Sequence, residues 1–583
     1  MSEDRQIPTS APADRPSFRI LINGAQISGE FQVQGIVVMR DVNKVAMAQV
    51  MILDGDPATE DFKASNAEDF VPGNEIEIHA GYHSDDQLIF KGLIVRHGLS
   101  AKKNKPSLLR LECKDAAVKL TVARHDAYFY DVTDAEIIEQ LAGDAGLEVD
   151  VSSDMISHPD LVQFRALDWD LIVARAEANG CLVVTDNGTL RVQPPDLSKE
   201  PALALAFGGN MLEFETVIDA RYQFDAVTAH AWDAANQELL EVEAADPGAD
   251  GPGNILPSDL AVVLGLDAYT VRHAGQLTET ELQAWADAQL LKSRLAKIRG
   301  RVRVQGTSEV APGDVVELSG VGERFTGNVF VSGVRHEINT ENWETDIALG
   351  LDPEWFIPST DDIHGASAGG LLPAVSGLQI GLVTALEGDP DGEDRVQVRL
   401  PLIDASEEGV WARVACLDAG ENRGTFFRPE VGDEVVLGFQ GNDPRKPVLL
   451  GMLNSSAKPA PLPGSDDNHE KGIITRSEMM LLFNDDVNTI TLETPSGNKV
   501  VLSEEDGGIS LTDENDNKII LNADGITIES ASDINMKASG DINIEGTNVS
   551  SAANGQFKAE GSGGAEMTSS ATTVVKGSLV QIN

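Results

Sequence analysis

Residue types capable of chemistry are present in the sequence, but few share a spacing that would build a catalytic or metal site. His79 and His83 have the i, i+4 spacing of two ligands on one helix face, yet Gly81 lies between them at the end of a strand-like run. Paired carboxylates such as Asp485–Asp486 and Glu504–Glu505 could act as general acid and base. In a chain with 94 acidic residues, solvated turns explain these pairs better. We therefore predict no catalytic residue, no metal site and no cofactor.

Other signatures of catalysis are missing from the sequence, which contains no Gly-x-Ser-x-Gly, no Walker loop and no His-Glu-x-x-His. The three cysteines, Cys113, Cys181 and Cys416, are far apart and odd in number, and they form no CxxC pair. We expect buried thiols in a chain made in a reducing cytosol. The sequence therefore favours a structural protein over an enzyme.

The chain is strongly acidic, with 94 Asp and Glu against 44 Lys and Arg and a formal net charge of −50 over 583 residues. This charge repels phosphate backbones, so no nucleic-acid partner is expected. It also repels anionic lipid headgroups, which disfavours stable adsorption to a membrane. The N-terminus is polar and proline-rich and has no basic start followed by an apolar stretch. We expect synthesis in the cytoplasm without a signal peptide.

The first part of the chain alternates in the manner of β-strands, with a few helical segments between them. Residues 1–16 are predicted to be a disordered tail, and residues 17–357 to form two β-barrels with helical insertions. One insertion is the run Ala135–Ala142, which has helical apolar spacing and follows the capping residues Thr133 and Asp134.

Two linkers rich in Pro, Ser, Gly and Ala divide the rest of the chain. Residues 358–374 form the first, and residues 455–472 form a second linker or neck. Between them, residues 375–454 carry five short predicted strands, which suggests a small barrel of the OB type.

From residue 473 to 583 the apolar residues appear as isolated i, i+2 pairs between polar turns. The last three pairs recur every eight residues, each preceded by a turn containing Asp. We predict that these pairs form the core of a trimeric, triple-stranded β-helix. The predicted trimer-core residues are Ile490, Leu492, Ile509, Leu511, Ile526, Ile528, Ile534, Met536, Ile542 and Ile544.

The energy of one octad explains why a trimer is predicted. Two buried aliphatic side chains stabilise by roughly 3–6 kcal/mol. Ordering eight backbone residues costs roughly 8–16 kcal/mol. A lone chain therefore needs backbone pairing and a partner to cover its apolar row, and three intertwined chains supply both without leaving exposed edges. The predicted fold class is mainly β.

A long motif in residues 375–454 resembles a known family. It comprises Val410–Ala415, then Gly424–Phe439, then Asp443–Asn454. This pattern resembles the VgrG family of tip proteins, whose OB domain is shared with phage baseplate spikes. The N-terminal region is similar to the tail-hub domain of the same family, most clearly at Val71–Ile76 and Phe90–Ile94. The positions that carry the OB motif are Trp411, Arg413, Pro429, Gly432, Asp433, Pro444 and Gly451.

The resemblance implies a homotrimeric spike and hub of a contractile injection system. In that family the hub contacts the inner tube and baseplate proteins, and the needle transiently meets the target membrane when the sheath contracts; effector cargo is a further implied partner. Some phage spikes hold iron at the tip through His-x-His, but no histidine follows His469. The resemblance therefore implies a separate PAAR-type tip cap and a particle that is released or secreted. The expected cap-binding residues are Leu579, Val580, Ile582 and Asn583.

Two alternatives compete with this interpretation. An envelope- or polysaccharide-degrading β-helix enzyme would need a groove lined with acids, aromatics or a metal, whereas the C-terminal region has only Phe483 and Phe557 as aromatic residues. A trimeric receptor-binding tail fibre would be expected to end in a globular head bearing aromatic residues. The structural spike is the preferred prediction.

Overall fold

The computed structural model describes residues 15–266, 268–361, 363 and 365–582. Most of the predicted tail, residues 1–14, lies outside this range, whereas Pro16 begins the first strand. The described residues separate into two compact units, one built mainly from residues up to Leu378 and the other mainly from Gln379 onward. No helix among the described residues has the length and apolarity to cross a bilayer.

The N-terminal unit is mainly β, as predicted, with few helices. Its helices are α1 (Asp134–Asp144), α2 (Asp168–Ala178), α3 (Pro257–Ala261), α4 (Glu279–Leu295) and α5 (Phe356–Ser359). Its strands are β1 (Pro16–Ile22), β2 (Ala25–Gln26), β3 (Gln32–Asp41), β4 (Met47–Leu53), β5 (Glu75–Tyr82), β6 (Asp85–Ser100), β7 (Leu108–Lys114), β8 (Arg124–Thr133), β9 (Glu148–Val151), β10 (Ser157–Leu167), β11 (Leu182–Asp186), β12 (Thr189–Gln193), β13 (Leu203–Ala206), β14 (Met211–Ile218), β15 (Ala226–Asp233), β16 (Glu238–Glu243), β17 (Ala268–His273), β18 (Ile298–Gln305), β19 (Val315–Ser319), β20 (Gly327–Asn339) and β21 (Trp343–Leu349).

Thirteen of these strands form one sheet, with the main order β14-β18-β21-β20-β3-β4-β7-β6-β5-β1-β2 and with β13 and β19 attached beside β20. The long strand β20 pairs with both β21 and β3 and so joins the two halves that the sequence predicts as separate barrels. Each half has its own apolar core, one around Phe90 and Trp343 and the other around Val302 and Ile347.

A smaller subdomain contains the predicted helix. Thr133 caps α1, and its hydroxyl accepts a hydrogen bond from the Glu136 amide at 3.2 Å while the Glu136 carboxylate accepts from the Thr133 amide at 2.7 Å. This reciprocal capping box satisfies amides that the helix start would otherwise leave unpaired. The apolar sides of α1 and α2 pack with the inner side of the β8–β10 ribbon around Ile138 and Ile172.

The second unit contains a small barrel followed by a sheet of short strands. The closed barrel has the order β22-β23-β24-β28-β27, which agrees with the predicted OB-type fold. The strands of this region are β22 (Gln379–Ala385), β23 (Val396–Arg399), β24 (Val410–Val414), β25 (Ala419–Gly420), β26 (Arg423–Gly424), β27 (Glu434–Phe439) and β28 (Pro447–Met452).

Seven strands of five residues then form the antiparallel sheet that we call the C-terminal sheet. They are β29 (Glu470–Ile474), β30 (Met480–Asn484), β31 (Thr489–Glu493), β32 (Lys499–Ser503), β33 (Gly508–Thr512), β34 (Lys518–Asn522) and β35 (Gly525–Glu529). Each strand pairs with the next along the chain. Within the described part of residues 530–582, which we call the octad segment, there is no further strand.

Candidate functional site: the apolar face of the C-terminal sheet

A repeat of about two strands builds the C-terminal sheet. The turns on one side begin at Thr475, Thr494 and Asp513, which are 19 residues apart. Each amide donates to the carbonyl of the residue four positions later, at 3.0, 3.0 and 3.1 Å. The strand after each turn has the form x-h-h-h-x, where h is apolar, and the next strand has isolated apolar positions. One repeat is therefore a turn, a strand, a second turn and a second strand.

The pairing register brings the apolar residues of successive strands directly opposite one another. In one column Leu492 faces Val500, and Leu511 faces both Val500 and Ile519. Because alternate side chains of a strand share a side of the sheet, this column lies beside a second one on the same face. The twelve residues of this apolar face are Leu481, Leu492, Val500, Leu511, Ile519, Ile528, Phe483, Ile490, Leu502, Ile509, Leu521 and Ile526.

No second layer covers the apolar face within the described chain. Leu492 retains 48% of its side-chain exposure, and Ile526 at the end of the sheet retains 72%. An open groove of about 770 Å³ follows the first column, with Ile534 of the octad segment at its end. An exposed apolar area of this extent is typical of a surface that another molecule covers.

The opposite face of the sheet is mixed. Its middle row alternates apolar and polar residues, which are Leu482, Thr491, Val501, Ser510, Ile520 and Thr527. Cross-strand ion pairs join Glu493 to Lys499 at 3.3 Å and Lys518 to Glu529 at 2.8 Å at its margin. The sheet therefore has one continuous apolar face and one face on which apolar, polar and charged residues alternate.

Six of the ten predicted trimer-core residues lie on the apolar face: Ile490, Leu492, Ile509, Leu511, Ile526 and Ile528. The other four, Ile534, Met536, Ile542 and Ile544, lie in the octad segment and are exposed outside any strand. Sequence reasoning missed the remaining apolar-face residues. The 19-residue repeat would have found them, because it aligns Leu481–Phe483, Val500–Leu502 and Ile519–Leu521. That these positions form a trimer core stays a prediction.

The predicted OB motif contains a turn that connects two strands. Gly432 adopts a φ of +87°, which glycine tolerates without strain, and its amide donates to the Val383 carbonyl at 2.8 Å. The Asp433 carboxylate accepts from the Glu430 amide at 2.8 Å and from Lys458 at 2.9 Å. Pro429 begins the turn. The motif thus has a local structural role in closing β22 against the start of β27.

The other motif positions are distributed over the barrel. Trp411 and Arg413 lie on β24, where Trp411 is half-buried and Arg413 is exposed. Pro444 lies in the turn that Lys446 closes through its amide to the Asp443 carbonyl at 2.9 Å, and Gly451 lies on β28. The structure does not bring these residues together into a single site.

An ion pair joins a turn of the barrel to the C-terminal sheet. Arg476, in the first turn of the repeat, pairs with Glu430 of the barrel turn at 2.7 Å.

The predicted cap-binding residues Leu579, Val580 and Ile582 are exposed, and Asn583 lies outside the described residues.

The candidate chemical residues have ordinary structural surroundings. His79 lies on β5 beside Glu77, with 3.4 Å between Nε2 and Oε2, and His83 lies in the turn after β5. Among the described residues, no group of three or more His, Cys, Asp or Glu could hold a metal ion. Burial raises the pKa of Cys113 and of Cys181 to about 12, whereas Cys416 is exposed. The expectation that all three thiols are buried is therefore wrong for Cys416, which follows β24 near a barrel margin.

Three family models match consecutive parts of the chain. Residues 12–340 match the Alg8 N-terminal domain. Residues 379–453 match the type VI secretion system/phage-baseplate injector OB domain, and residues 489–583 match the phage baseplate V C-terminal trimerisation domain. The last match contains most of the apolar face and all of the octad segment.

Two curated relatives come from Pseudomonas aeruginosa. The type VI secretion system spike protein VgrG1b is 22% identical over 344 residues, which are 54% of this chain and 44% of the relative. The spike protein VgrG1a is 26% identical over 213 residues, which are 34% of this chain and 33% of the relative. The chain thus spans less than half the length of these relatives.

A tail protein from Neisseria meningitidis is a similar solved structure, with a TM-score of 0.44 and 17% identity over 59% of this chain and 98% of that one. The Alg8 N-terminal domain model covers more than half of the chain, and the curated matches are VgrG spike proteins. The chain therefore belongs to the family of the Alg8 N-terminal domain, and its curated relatives are type VI secretion system spike proteins of the VgrG kind.

Proposed function

We propose that the protein is the structural, non-enzymatic homotrimeric spike and hub of a phage-tail-like contractile injection system. It caps the inner tube and punctures the target envelope when the sheath contracts. The observation that carries the proposal is the apolar face of the C-terminal sheet, which the chain itself leaves uncovered.

The energy available from covering this face is large. Full burial of one aliphatic side chain stabilises by about 1.5–3 kcal/mol. Because roughly two-fifths of the area of twelve such side chains remains accessible, covering the face is worth roughly 7–14 kcal/mol per chain. That gain is of the same order as the whole stability of an ordinary domain.

Three copies are favoured over two for two reasons. The matched family model for residues 489–583 is described as a trimerisation domain. The octad segment in addition has no strand of its own among its described residues, so its backbone groups are available to pair with strands of other copies. Interleaved strands from three chains would supply those partners and cover Ile534, Met536, Ile542 and Ile544 at the same time.

The remaining partners follow from the family. The N-terminal unit serves as the hub that contacts the inner tube and the baseplate. A PAAR-type cap sits on the exposed apolar residues Leu579, Val580 and Ile582. Effector cargo travels with the spike, and contact with the target membrane is transient. The protein is made in the cytoplasm and leaves the cell as part of the particle.

Sedimentation of the purified full-length chain tests the trimer. At micromolar concentration we expect a single species of three times the chain mass of 62.2 kDa. A folded monomer that keeps the circular-dichroism signal of its C-terminal β-structure contradicts the proposal. Co-purification with sheath and tube proteins, and retention of a PAAR-type cap by the full chain but not by a chain lacking its last ten residues, test the wider role.

A further inference from the structure

Two cations lie buried where helix α4 ends and strand β18 begins. Arg294 lies in the last turn of α4 and is 8% exposed, and Lys297 lies between the two elements and is 2% exposed. Arginine and lysine are rarely buried to this extent unless an acidic group pairs with them. Among the described residues, no carboxylate oxygen lies within 4.0 Å of a side-chain nitrogen of either residue.

The partners of Lys297 are backbone carbonyls. Its ammonium donates to the carbonyl of Ile255 at 3.1 Å and to the carbonyl of Asp250. An ammonium has three donors, so one of them has no partner in the described chain. Burial lowers the pKa of Lys297 more strongly than the distant Asp250 carboxylate raises it. The positive charge of Lys297 is therefore only partly compensated.

Arg294 is compensated in the same incomplete way. Its guanidinium donates to the Phe224 carbonyl at 2.7 Å and to the Asp225 carbonyl at 3.4 Å, which leaves other N–H donors without a partner. The carboxylates of Asp225, Asp246 and Asp250 raise the pKa of Arg294 from a distance, but burial lowers it more strongly. These three aspartates are exposed, so water and salt screen their charge.

Both cations line one cavity of about 350 Å³, and residues 248–253 line it as well. Gly251 has a φ of +67°, and a Cβ at this position would contact the Lys297 side chain, with 3.4 Å to Cε and 3.7 Å to Nζ. Glycine thus suits both the backbone and the space beside the ammonium. The amides of Ala249, Asp250 and Gly251 donate to no group of the described chain, although Ala249 is buried. These amides are further donors next to the cavity.

The remaining lining of the cavity is largely apolar and includes Leu295, Ile298, Val315, Val329 and Phe330. An apolar lining excludes water and so strengthens the attraction between a buried cation and an anion. A cavity of this volume has the size of a small-molecule site. We infer that it binds a small oxyanion, whose carboxylate or phosphate group lies between the Lys297 ammonium and the Arg294 guanidinium.

A purely structural role for Lys297 explains less. Lys297 could simply tie the loop at residues 250–255 to the end of α4 through its two carbonyl bonds. That role leaves unexplained the second uncompensated cation, the unpaired amides and the space beside the ammonium. An oxyanion would supply the missing negative charge and accept hydrogen bonds from all of these donors. The site lies within one chain and does not depend on the proposed trimer.

Titration calorimetry on the full-length chain tests the site. Inorganic phosphate is used in one arm and acetate in the other, both at constant ionic strength set with chloride. We expect saturable binding to a single site per chain, and the arm that binds tells whether the site prefers phosphate or carboxylate. Lys297→Met should weaken binding by about tenfold or more, because it keeps the length of the side chain but removes a charge-assisted hydrogen bond.

The matched control is Lys292→Met, which removes a lysine of the same helix whose ammonium already pairs with the Glu177 carboxylate. Its affinity for the anion should equal that of the native chain. Absence of saturable binding of either anion to the native chain overturns the inference. Binding that both Lys297→Met and Arg294→Met leave unchanged also overturns it, because the anion then lies elsewhere.

Circular dichroism checks that each variant folds. If Lys297→Met does not fold, Gly251→Ala takes its place, because it keeps both charges and adds a methyl group beside the ammonium. Gly251→Ala should weaken anion binding, and an affinity equal to that of the native chain would contradict the proposed position of the anion.

Discussion

The large sheet of the N-terminal unit and the C-terminal sheet follow the same alternating pattern but differ in what covers them. In the large sheet Ile36 and Val50 face each other and are each 1% exposed, because other residues of the same chain pack over that side. In the C-terminal sheet the equivalent pair Leu492 and Val500 lies on an open groove. The comparison teaches that strand pattern specifies a sheet, while the cover for its apolar face can be left to another copy.

The largest expected effect comes from placing a charge on the apolar face. Leu511→Asp should abolish the trimer at micromolar concentration, because a buried carboxylate without a partner costs several kcal/mol in each of three copies. Sedimentation velocity measures the change. Ser510→Asp is the matched control, because it replaces a polar residue on the opposite face of the same strand, and the trimer should survive. If both variants remain trimeric, or both dissociate, the assignment of Leu511 and Ser510 to opposite faces of the sheet is contradicted.

A smaller effect is expected from a cavity in the large sheet. Phe90, which is 1% exposed, lies in the first core. Phe90→Ala should lower the free energy of unfolding of the N-terminal unit by about 3–5 kcal/mol. Denaturant unfolding measures this, and the loss should not depend on protein concentration, unlike that of Leu511→Asp. Leu99→Ala, on the same strand but 49% exposed, is the control and should cost much less.

Acid should affect the two regions differently. The pKa of Asp346 is raised by burial but lowered more strongly by Arg303, Arg301 and Arg335, so it lies below the ordinary value of 3.8. A lowered folded-state pKa gives stability that is complete above the unfolded pKa, near pH 4, and is lost as the pH falls further. Melting temperatures of the N-terminal unit should therefore decline below pH 4. The effect should be smaller than that of Phe90→Ala.

The control for the acid effect is Asp346→Asn. It should lower stability at pH 7, since Arg303 loses bonds of 2.8 and 3.0 Å, and flatten the decline below pH 4. The trimer of the C-terminal sheet should not weaken in the same range, because protonation reduces repulsion between acidic chains. If the melting temperatures of the native chain and of Asp346→Asn fall in parallel below pH 4, the Asp346 carboxylate is not the cause of the acid destabilisation.

The smallest effect is expected at the margin of the C-terminal sheet. Lys518→Gln removes the ion pair with Glu529, which is solvent-exposed and screened by salt. Trimer mass and melting temperature should stay unchanged within error. A clear fall in trimer mass or melting temperature would mean that this margin, and not only the apolar face, contacts a neighbouring copy.

The sequence predicts the mainly β fold and the small barrel because short alternating runs and turn residues act locally. It also finds half of the apolar face, since isolated pairs such as Ile509 and Leu511 stand out between polar turns. It misses Val500 and Leu502, because three adjacent apolar residues in an x-h-h-h-x strand show no alternation between apolar and polar positions.

Long-range pairing limits the rest of the prediction. The β3–β20 pairing that unites the large sheet joins Val38 to His336, and no local pattern encodes a partner so distant in the chain. The exposure of Cys416 has the same origin, because a cysteine in a short turn is buried only if another segment happens to cover it.

The five-residue strands of the C-terminal sheet have a mechanical consequence. Seven strands spaced about 4.8 Å apart extend roughly 29 Å across the strands, whereas each strand is only about 17 Å long. The backbone hydrogen bonds therefore run along the longer dimension. A thrust in that direction presses each strand onto the next and loads every ladder in compression, whereas tension would peel the ladders apart one by one. The sheet therefore resists compression along its longer dimension better than tension.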